Sequence, residues 1–233
     1  MTGFRLPSIR LSEIDRQKCY FNPGCALSLY KPESGRKMLA LLNEHFGPVA
    51  PHGLCCHHDP GLPQGATIIN NCAGCDRRFR SLYPGIRTLS LWEVLDSLEN
   101  LPLPDYSGLT VSVHDSCSFR PKPQVHAAVR SLLAKMKIAI IESEFSGTKS
   151  ICCGDNFYPA LPAEQVVALQ KKRAAQMPCQ DVAVYCVGCV KSMATGGKTP
   201  RYMVDLVFNE PTDPQETALA VYHNALNRYI AAH

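Results

Sequence analysis

Ten of the twelve cysteines in this chain of 233 residues fall into two copies of one pattern. Each copy has a single cysteine, then an adjacent pair, then a Cys-x-Gly-Cys motif. The first cysteine set is Cys25, Cys55, Cys56, Cys72 and Cys75, and the second cysteine set is Cys117, Cys152, Cys153, Cys186 and Cys189. The repeat predicts two similarly folded halves, each of which brings five thiols together.

The composition narrows the classes of protein to which the chain can belong. The first 18 residues lack the apolar core of a signal peptide, and no apolar run reaches the ~18–20 residues of a membrane span. We therefore expect a cytoplasmic protein, in which thiols stay reduced and serve metal binding or redox chemistry rather than disulfides. A net charge of +4, without a basic tract, argues against nucleic-acid binding.

Short apolar runs alternate with amphipathic segments along both halves. The runs predict strands at residues 20–22, 67–70, 110–114, 138–141 and 182–185. The amphipathic segments predict helices at residues 33–46, 89–98, 124–136, 163–177, 201–208 and 215–231. Such alternation indicates an α/β fold with a small parallel sheet in each half. A linker with Pro102, Pro104 and Gly108 predicts one domain over residues 1–103 and another over residues 104–233.

The cysteines follow predicted strands, so their thiols are expected at one edge of each sheet, where ligands bind in parallel α/β folds. Each Cys-x-Gly-Cys motif is expected to begin a helix, whose free N–H groups and positive dipole end stabilise thiolates. Five thiolates exceed the four ligands of tetrahedral zinc or of an ordinary iron–sulfur cubane. A fifth thiolate is explained if it bridges two irons. Zinc remains an alternative, chiefly for the first cysteine set.

At these residues the chain resembles the cysteine-rich CCG-domain family, which is best known from heterodisulfide reductase. The second half carries the closer match, in the segments 114–117 (HDSC), 152–154 (CCG) and 186–189 (CVGC). The first half matches in residues 22–25 (NPGC), the pair Cys55 and Cys56, and residues 72–75 (CAGC). The resemblance covers residues 20–208, which is most of the chain.

The resemblance implies two Rossmann-like CCG domains related by a pseudo-two-fold axis, each holding a noncubane 4Fe–4S cluster on its five cysteines. It also implies reduction of a small disulfide or thiol substrate, with electrons delivered by a ferredoxin-like or flavin-containing partner protein. Two other functions remain open. One is an electron-transfer module that never contacts a substrate, and the other is an interaction domain stabilised by zinc.

The first half departs from the family pattern at two points. His57 stands where the second half has Gly154, and only 16 positions separate Cys56 from Cys72, against 33 between Cys153 and Cys186. We expect the first half to lack a helix. Its site is then expected to be the more open one, and the one that meets a substrate.

Two histidines are candidate catalytic residues, because each lies beside a cysteine of a set. His57 follows the first cysteine pair and is either a ligand or proton donor, or part of a surface turn. His114 ends a strand beside Cys117. The neighbouring Asp115 is expected to cap the next turn, with proton transfer as the alternative.

Other residues close to the motifs have simpler expected roles. Arg77, Arg78 and Lys191 either balance the negative charge of a cluster, bind an anionic substrate or form a solvated surface. Cys19 and Cys179 lie outside the repeat and are expected to be ordinary buried thiols, although a spare ligand or a resolving thiol is the alternative for Cys19.

Overall fold

The computed structural model of the protein describes residues 14–233, which form two four-stranded parallel sheets. The first consists of β1 (Cys19–Asn22), β2 (Ala50–Pro51), β3 (Thr67–Asn70) and β4 (Arg87–Ser90), in the spatial order β2-β1-β3-β4. The second consists of β5 (Thr110–His114), β6 (Ala139–Ile140), β7 (Asp181–Val184) and β8 (Thr199–Tyr202), in the order β6-β5-β7-β8. The equivalent order confirms the internal repeat and the predicted pair of Rossmann-like α/β units.

Helices flank both sheets. The first half contains α1 (Cys25–Tyr30), α2 (Pro32–His45), α3 (Ala73–Leu82) and α4 (Leu91–Asp96). The second half contains α5 (Pro123–Lys135), α6 (Ala163–Ala175), α7 (Val187–Thr195), α8 (Met203–Val207) and α9 (Leu219–Ala232). Proline stands in the first turn of α2 and of α5, where the missing N–H costs no hydrogen bond. None of the helices within residues 14–233 combines the length and apolar character needed to cross a bilayer.

The helices predicted after the Cys-x-Gly-Cys motifs begin later than expected. They start at Leu91 and Met203, because the residues before them form the edge strands β4 and β8. In α4 the start is set by Ser90, which forms a capping box with Glu93. Helix α9 begins at Leu219 rather than at residue 215, since Gln215 has a φ of +54° that a helix excludes.

The two sheets share one continuous hydrophobic core. Helix α4 of the first half packs on α5 of the second, and the ring of Trp92 meets that of Tyr185 edge-on at 6.2 Å. Residues 101–106, where a linker was predicted, have no regular secondary structure. The halves are therefore joined by packing as well as by the chain.

The predicted loss of a helix in the first half is confirmed. Residues 52–66, between β2 and β3, contain only turns and irregular structure, whereas α6 lies between β6 and β7. This difference between the halves lies beside the cysteine pairs.

Candidate metal centres

Four of the cysteines follow closely after strands, as the motif spacing predicted, namely Cys25, Cys72, Cys117 and Cys186. Cys25 is the first residue of α1, directly after β1 and two turn residues, and Cys117 follows β5 in the same manner. Cys72 and Cys186 are the N-caps of α3 and α7, so each Cys-x-Gly-Cys motif does begin a helix. Parallel strands place these positions at one edge of their sheet.

The first cysteine set is brought together completely. Neighbouring thiols lie close enough to shift one another's pKa, in the pairs Cys25 with Cys55, Cys55 with Cys56, Cys56 with Cys75, and Cys75 with Cys72. Three of these side chains are buried, while Cys25 and Cys72 are half-buried. The five cysteines of the first half thus lie in one cluster.

The second cysteine set forms a matching chain of contacts. Cys117 and Cys152 shift each other's pKa, as do Cys152 and Cys153, and Cys189 interacts in the same way with both Cys153 and Cys186. The Sγ atoms of Cys153 and Cys189 lie 3.7 Å apart, and both residues are buried. The two halves therefore repeat the arrangement of sulfur atoms as well as the order of strands.

Within the first cysteine set, one end of the motif favours the thiolate. Hydrogen bonding from Cys75 lowers the pKa of Cys72 to about 6, in spite of burial, and the backbone N–H groups of Cys75 and Gly74 lower it further. For Cys25, burial followed by its contact with Cys55 raises the pKa instead. The helix N-terminus therefore holds the thiolate, which is the form that binds metal.

The second cysteine set has its thiolate in the cysteine pair. Hydrogen bonds from Cys117 and Cys153 lower the pKa of Cys152, and they outweigh burial. The N–H of Gly154 also points at its Sγ at 3.4 Å. Contact with Cys152 and then burial raise the pKa of Cys117, whose Sγ accepts from the Asn156 side chain at 3.6 Å. The arrangement again supplies a thiolate with backbone donors around it.

Both sets suit a thiophilic metal. All twelve cysteines are described, and every one is a free thiol. Two thiolates on one tetrahedral ion with bonds of about 2.3 Å lie about 3.8 Å apart, which agrees with the 3.7 Å between Cys153 and Cys189. The pair can therefore share one metal atom, whether that atom is zinc or one iron of a cluster.

His114 faces the second cysteine set from the end of β5. One of its ring nitrogens and the Sγ atoms of Cys153 and Cys189 all lie within 4.8 Å of one another. Arg173 Nε donates to His114 Nδ1 at 3.2 Å, so the proton of the neutral ring is on Nε2. Burial, reinforced by Arg173, lowers the pKa of His114 to about 3, so the ring stays neutral. Nε2 can therefore donate to sulfur but has no lone pair for a metal.

The other candidate catalytic histidine lies on the surface. His57 is exposed, and partial burial, Arg78 and His58 together lower its pKa. The side chain of Arg78 holds the same loop by donating from Nε to the Cys56 carbonyl at 3.1 Å. Catalytic roles for His57 and His114 stay predictions.

The expected role of Asp115 as a turn cap is wrong. Its carboxylate is fully buried and accepts two hydrogen bonds from Arg130, at 2.9 and 2.8 Å, and others from Tyr185 and Gly147. Burial opposes the charge, but the hydrogen bonds from His126 and Arg130 outweigh it and hold the pKa below its usual range. Asp115 thus anchors the loop that carries Cys117, through partners that lie far away in the sequence.

The first half anchors Cys25 with neutral groups. Asn22 donates to Asn70 Oδ1 at 3.2 Å and accepts from the N–H of Gly24 at 2.9 Å. Gly24 has a φ of +80°, and a Cβ there would lie 2.9 Å from the Cβ of Cys72. Only glycine lets the two loops approach this closely.

The expectation of an open first site is wrong, because the end of α9 covers the loop of the first cysteine pair. The N–H of Cys55 donates to the His233 carbonyl at 3.1 Å, and His58 Nε2 lies 2.7 Å from the Ile230 carbonyl. The Ile230 side chain packs against the buried cluster that contains Cys55, Cys56 and Cys75.

Lys191 fixes the segment that leads into α9. Its side chain is buried, so the interpretation of Lys191 as a solvated cation is wrong. Nζ donates to the carbonyls of Pro214 at 3.0 Å and Glu216 at 2.7 Å, and lies 4.7 Å from the Tyr222 ring centroid. Lys191, which follows the second Cys-x-Gly-Cys motif, therefore helps to direct α9 toward the first cysteine set.

The two cysteines outside the repeat take no part in either set of sulfur contacts that we describe. Cys19 is buried at the start of β1, where burial raises its pKa to about 11. Cys179 is half-buried. The prediction of an ordinary buried thiol is confirmed for Cys19.

No protein-family model matches the chain, and neither does any curated protein. The family resemblance rests on the motifs alone.

Proposed function

We propose that the protein is an iron–sulfur redox protein in which each cysteine set binds one 4Fe–4S cluster of the noncubane type. The convergence of five thiols in each half carries the proposal. Zinc uses four ligands and a cubane cluster uses four cysteines, so neither accounts for a fifth thiol brought to the same place twice.

The proposed reaction is reduction of a small disulfide or thiol substrate in the cytoplasm. Reduction of a disulfide consumes two electrons and two protons and yields two thiols. A ferredoxin-like or flavin-containing partner would deliver the electrons, and a bound cluster would supply them singly to the substrate. The chain's own residues lower the pKa of the Cys72 and Cys152 thiols, through neighbouring thiols and backbone N–H groups, and so favour the thiolate form.

Electron transfer without substrate contact is the second candidate. The cover that α9 places on the first cysteine set favours it for that site, because a covered cluster can exchange electrons but cannot bind a substrate at iron. The second set has three half-buried members, Cys117, Cys152 and Cys186, against two in the first. Substrate contact is therefore assigned to the second set.

Metal analysis of anaerobically purified protein tests the cofactor. We expect about eight iron atoms and about eight acid-labile sulfides per chain, as two four-iron clusters require. Zinc without iron would contradict the proposal and support the interaction domain. Half of this iron together with one zinc would limit the cluster to one set.

Electron paramagnetic resonance of the reduced protein tests the reaction. We expect an added disulfide to change the cluster signal, as sulfur binding to iron alters its electronic structure. A signal that no disulfide changes would favour electron transfer alone.

A further inference from the structure

A cavity of about 430 Å³ lies against the second cysteine set. Its lining is Arg77, Arg80, Cys117, Ser118, Arg120 and Pro121. Arg77 and Arg80 come from α3 of the first half, whereas Cys117 and Arg120 come from the short 3₁₀ turn after β5 in the second. The cavity thus lies between the halves, and its volume is within the range of small-molecule sites, which are often found at such interfaces.

The cavity is positively charged. No carboxylate among residues 14–233 pairs with Arg77 or Arg120, and Arg120 Nε is bonded only to the Ser150 carbonyl, at 2.7 Å. Arg80 Nε does meet a carboxylate, Asp76, at 3.1 Å. That carboxylate is already neutralised by Lys122 at 2.9 Å, so it cancels little of the arginine charge.

The thiol at this cavity belongs to the second cysteine set. Cys117 is half-buried and interacts with Cys152, so a molecule in the cavity lies beside the proposed cluster. The three guanidinium groups around the cavity disfavour binding of a cationic or apolar molecule. They match a molecule with carboxylate or phosphate groups, which arginine binds through paired hydrogen bonds.

We propose that this cavity binds the substrate, and that the substrate is a small anionic thiol or disulfide. The thiol chemistry rests on the proposed function, whereas the preference for an anion rests on the arginines. Arg77 is the residue that tests it best, because its guanidinium forms no bond that we describe within the fold.

The test uses the metal-loaded protein under anaerobic conditions and four probes of similar length. Dithiodiglycolate is an anionic disulfide, bis(2-hydroxyethyl) disulfide is neutral and cystamine is cationic. Adipate has the two carboxylates of dithiodiglycolate but no sulfur. Binding is measured by calorimetry, and perturbation of the reduced cluster by electron paramagnetic resonance.

We expect dithiodiglycolate to bind at least about tenfold more tightly than the neutral disulfide, and cystamine to bind least. Arg77→Gln should weaken the binding of dithiodiglycolate and of adipate by about tenfold and leave the affinity for the neutral disulfide unchanged. The matched control is Arg36→Gln, since Arg36 is 69% exposed on α2, pairs with Glu33 and lies outside this cavity. Arg77→Lys should restore part of the affinity.

The outcomes separate the two proposals. If the neutral disulfide perturbs the cluster as strongly as the anionic one, and Arg77→Gln changes neither, the cavity proposal is overturned and the proposed function stands. If adipate and dithiodiglycolate bind equally and depend on Arg77, but no disulfide perturbs the cluster, the anion site stands and the disulfide chemistry falls.

Discussion

The two cysteine sets share a motif and a fold, yet they are enclosed by different means. In the second half, α6 packs directly on the glycine that follows the cysteine pair. Gly154 has a φ of +107°, and a Cβ there would lie 3.1 Å from the Leu169 Cβ and 3.3 Å from the Gln170 nitrogen. In the first half no helix occupies residues 52–66, and His57 stands in place of the glycine without a positive φ.

The absence of a helix before Cys72 and the presence of His57 are therefore two parts of the same structural difference. Glycine after the cysteine pair is required by the helix that lies against it. Where that helix is absent, a large side chain fits, and α9 covers the loop instead. The residue that follows the cysteine pair is therefore determined by helix packing as much as by metal chemistry.

Each half also completes the site of the other. Helix α9, from the second half, covers the first cysteine set, and the arginines of α3, from the first half, line the cavity at the second. The repeat thus produces two sites whose sulfur atoms match and whose surroundings do not. The following predictions run from the largest expected effect to the smallest.

Removing one cysteine of a set should abolish metal binding at that set alone. We expect Cys189→Ala and Cys75→Ala each to lose about half of the bound metal, because the remaining ligands cannot hold a complete cluster. Metal and sulfide analysis of anaerobic protein measures this. The matched controls are Cys179→Ala and Cys19→Ala, which should keep the full complement. Loss of all metal from the Cys189→Ala or the Cys75→Ala protein would show that the two sites assemble together.

Asp115→Ala should be the most destabilising of the substitutions that leave every cysteine in place. It leaves Arg130 without its main buried partner, and breaking a buried ion pair in this way costs about 3–5 kcal/mol. Chemical denaturation measures the free energy of unfolding. Asp105→Ala, which breaks the exposed pair with Lys137, is the control and should destabilise the fold far less. Similar costs for both would refute the role of Asp115 as an anchor.

Exchanging the residues after the two cysteine pairs tests the comparison directly. Gly154→His should cost about 3 kcal/mol and release metal from the second set, since it strains the backbone and collides with α6. His57→Gly should change stability by less than about 1 kcal/mol, because no helix packs there. Thermal unfolding and metal content measure both variants. Equal effects would mean that the glycine serves the metal rather than the helix.

Weakening the end of α9 should expose the first site selectively. We expect Ile230→Ala to cost about 1 kcal/mol, as the side chain is only half-buried, and to speed loss of metal to a chelator from the first set. Stopped-flow absorbance with a chelator measures two phases, of which only one should accelerate. Val221→Ala, at a side chain 53% exposed near the start of α9, is the control. Acceleration of both phases would show that the end of α9 protects both cysteine sets from the chelator.

Much of the candidate site followed from local patterns. The two cysteine sets, the helices that begin at the Cys-x-Gly-Cys motifs and the absence of a helix before Cys72 could all be predicted from spacing. Strands such as β3 and β7 were predicted because they are central and buried, so that their residues form continuous apolar runs. The edge strand β2 has two residues and pairs on one side only, so it leaves little trace in the sequence.

By itself, the sequence determined that the chain folds as a repeat and that each half brings five thiols to the end of its sheet. Tertiary structure alone decided what surrounds those thiols. The buried partners of Asp115, the cover provided by α9 and the arginines beside Cys117 all come from segments distant along the chain. Contacts of this kind depend on how helices pack across the two sheets, and local spacing and periodicity do not encode that packing.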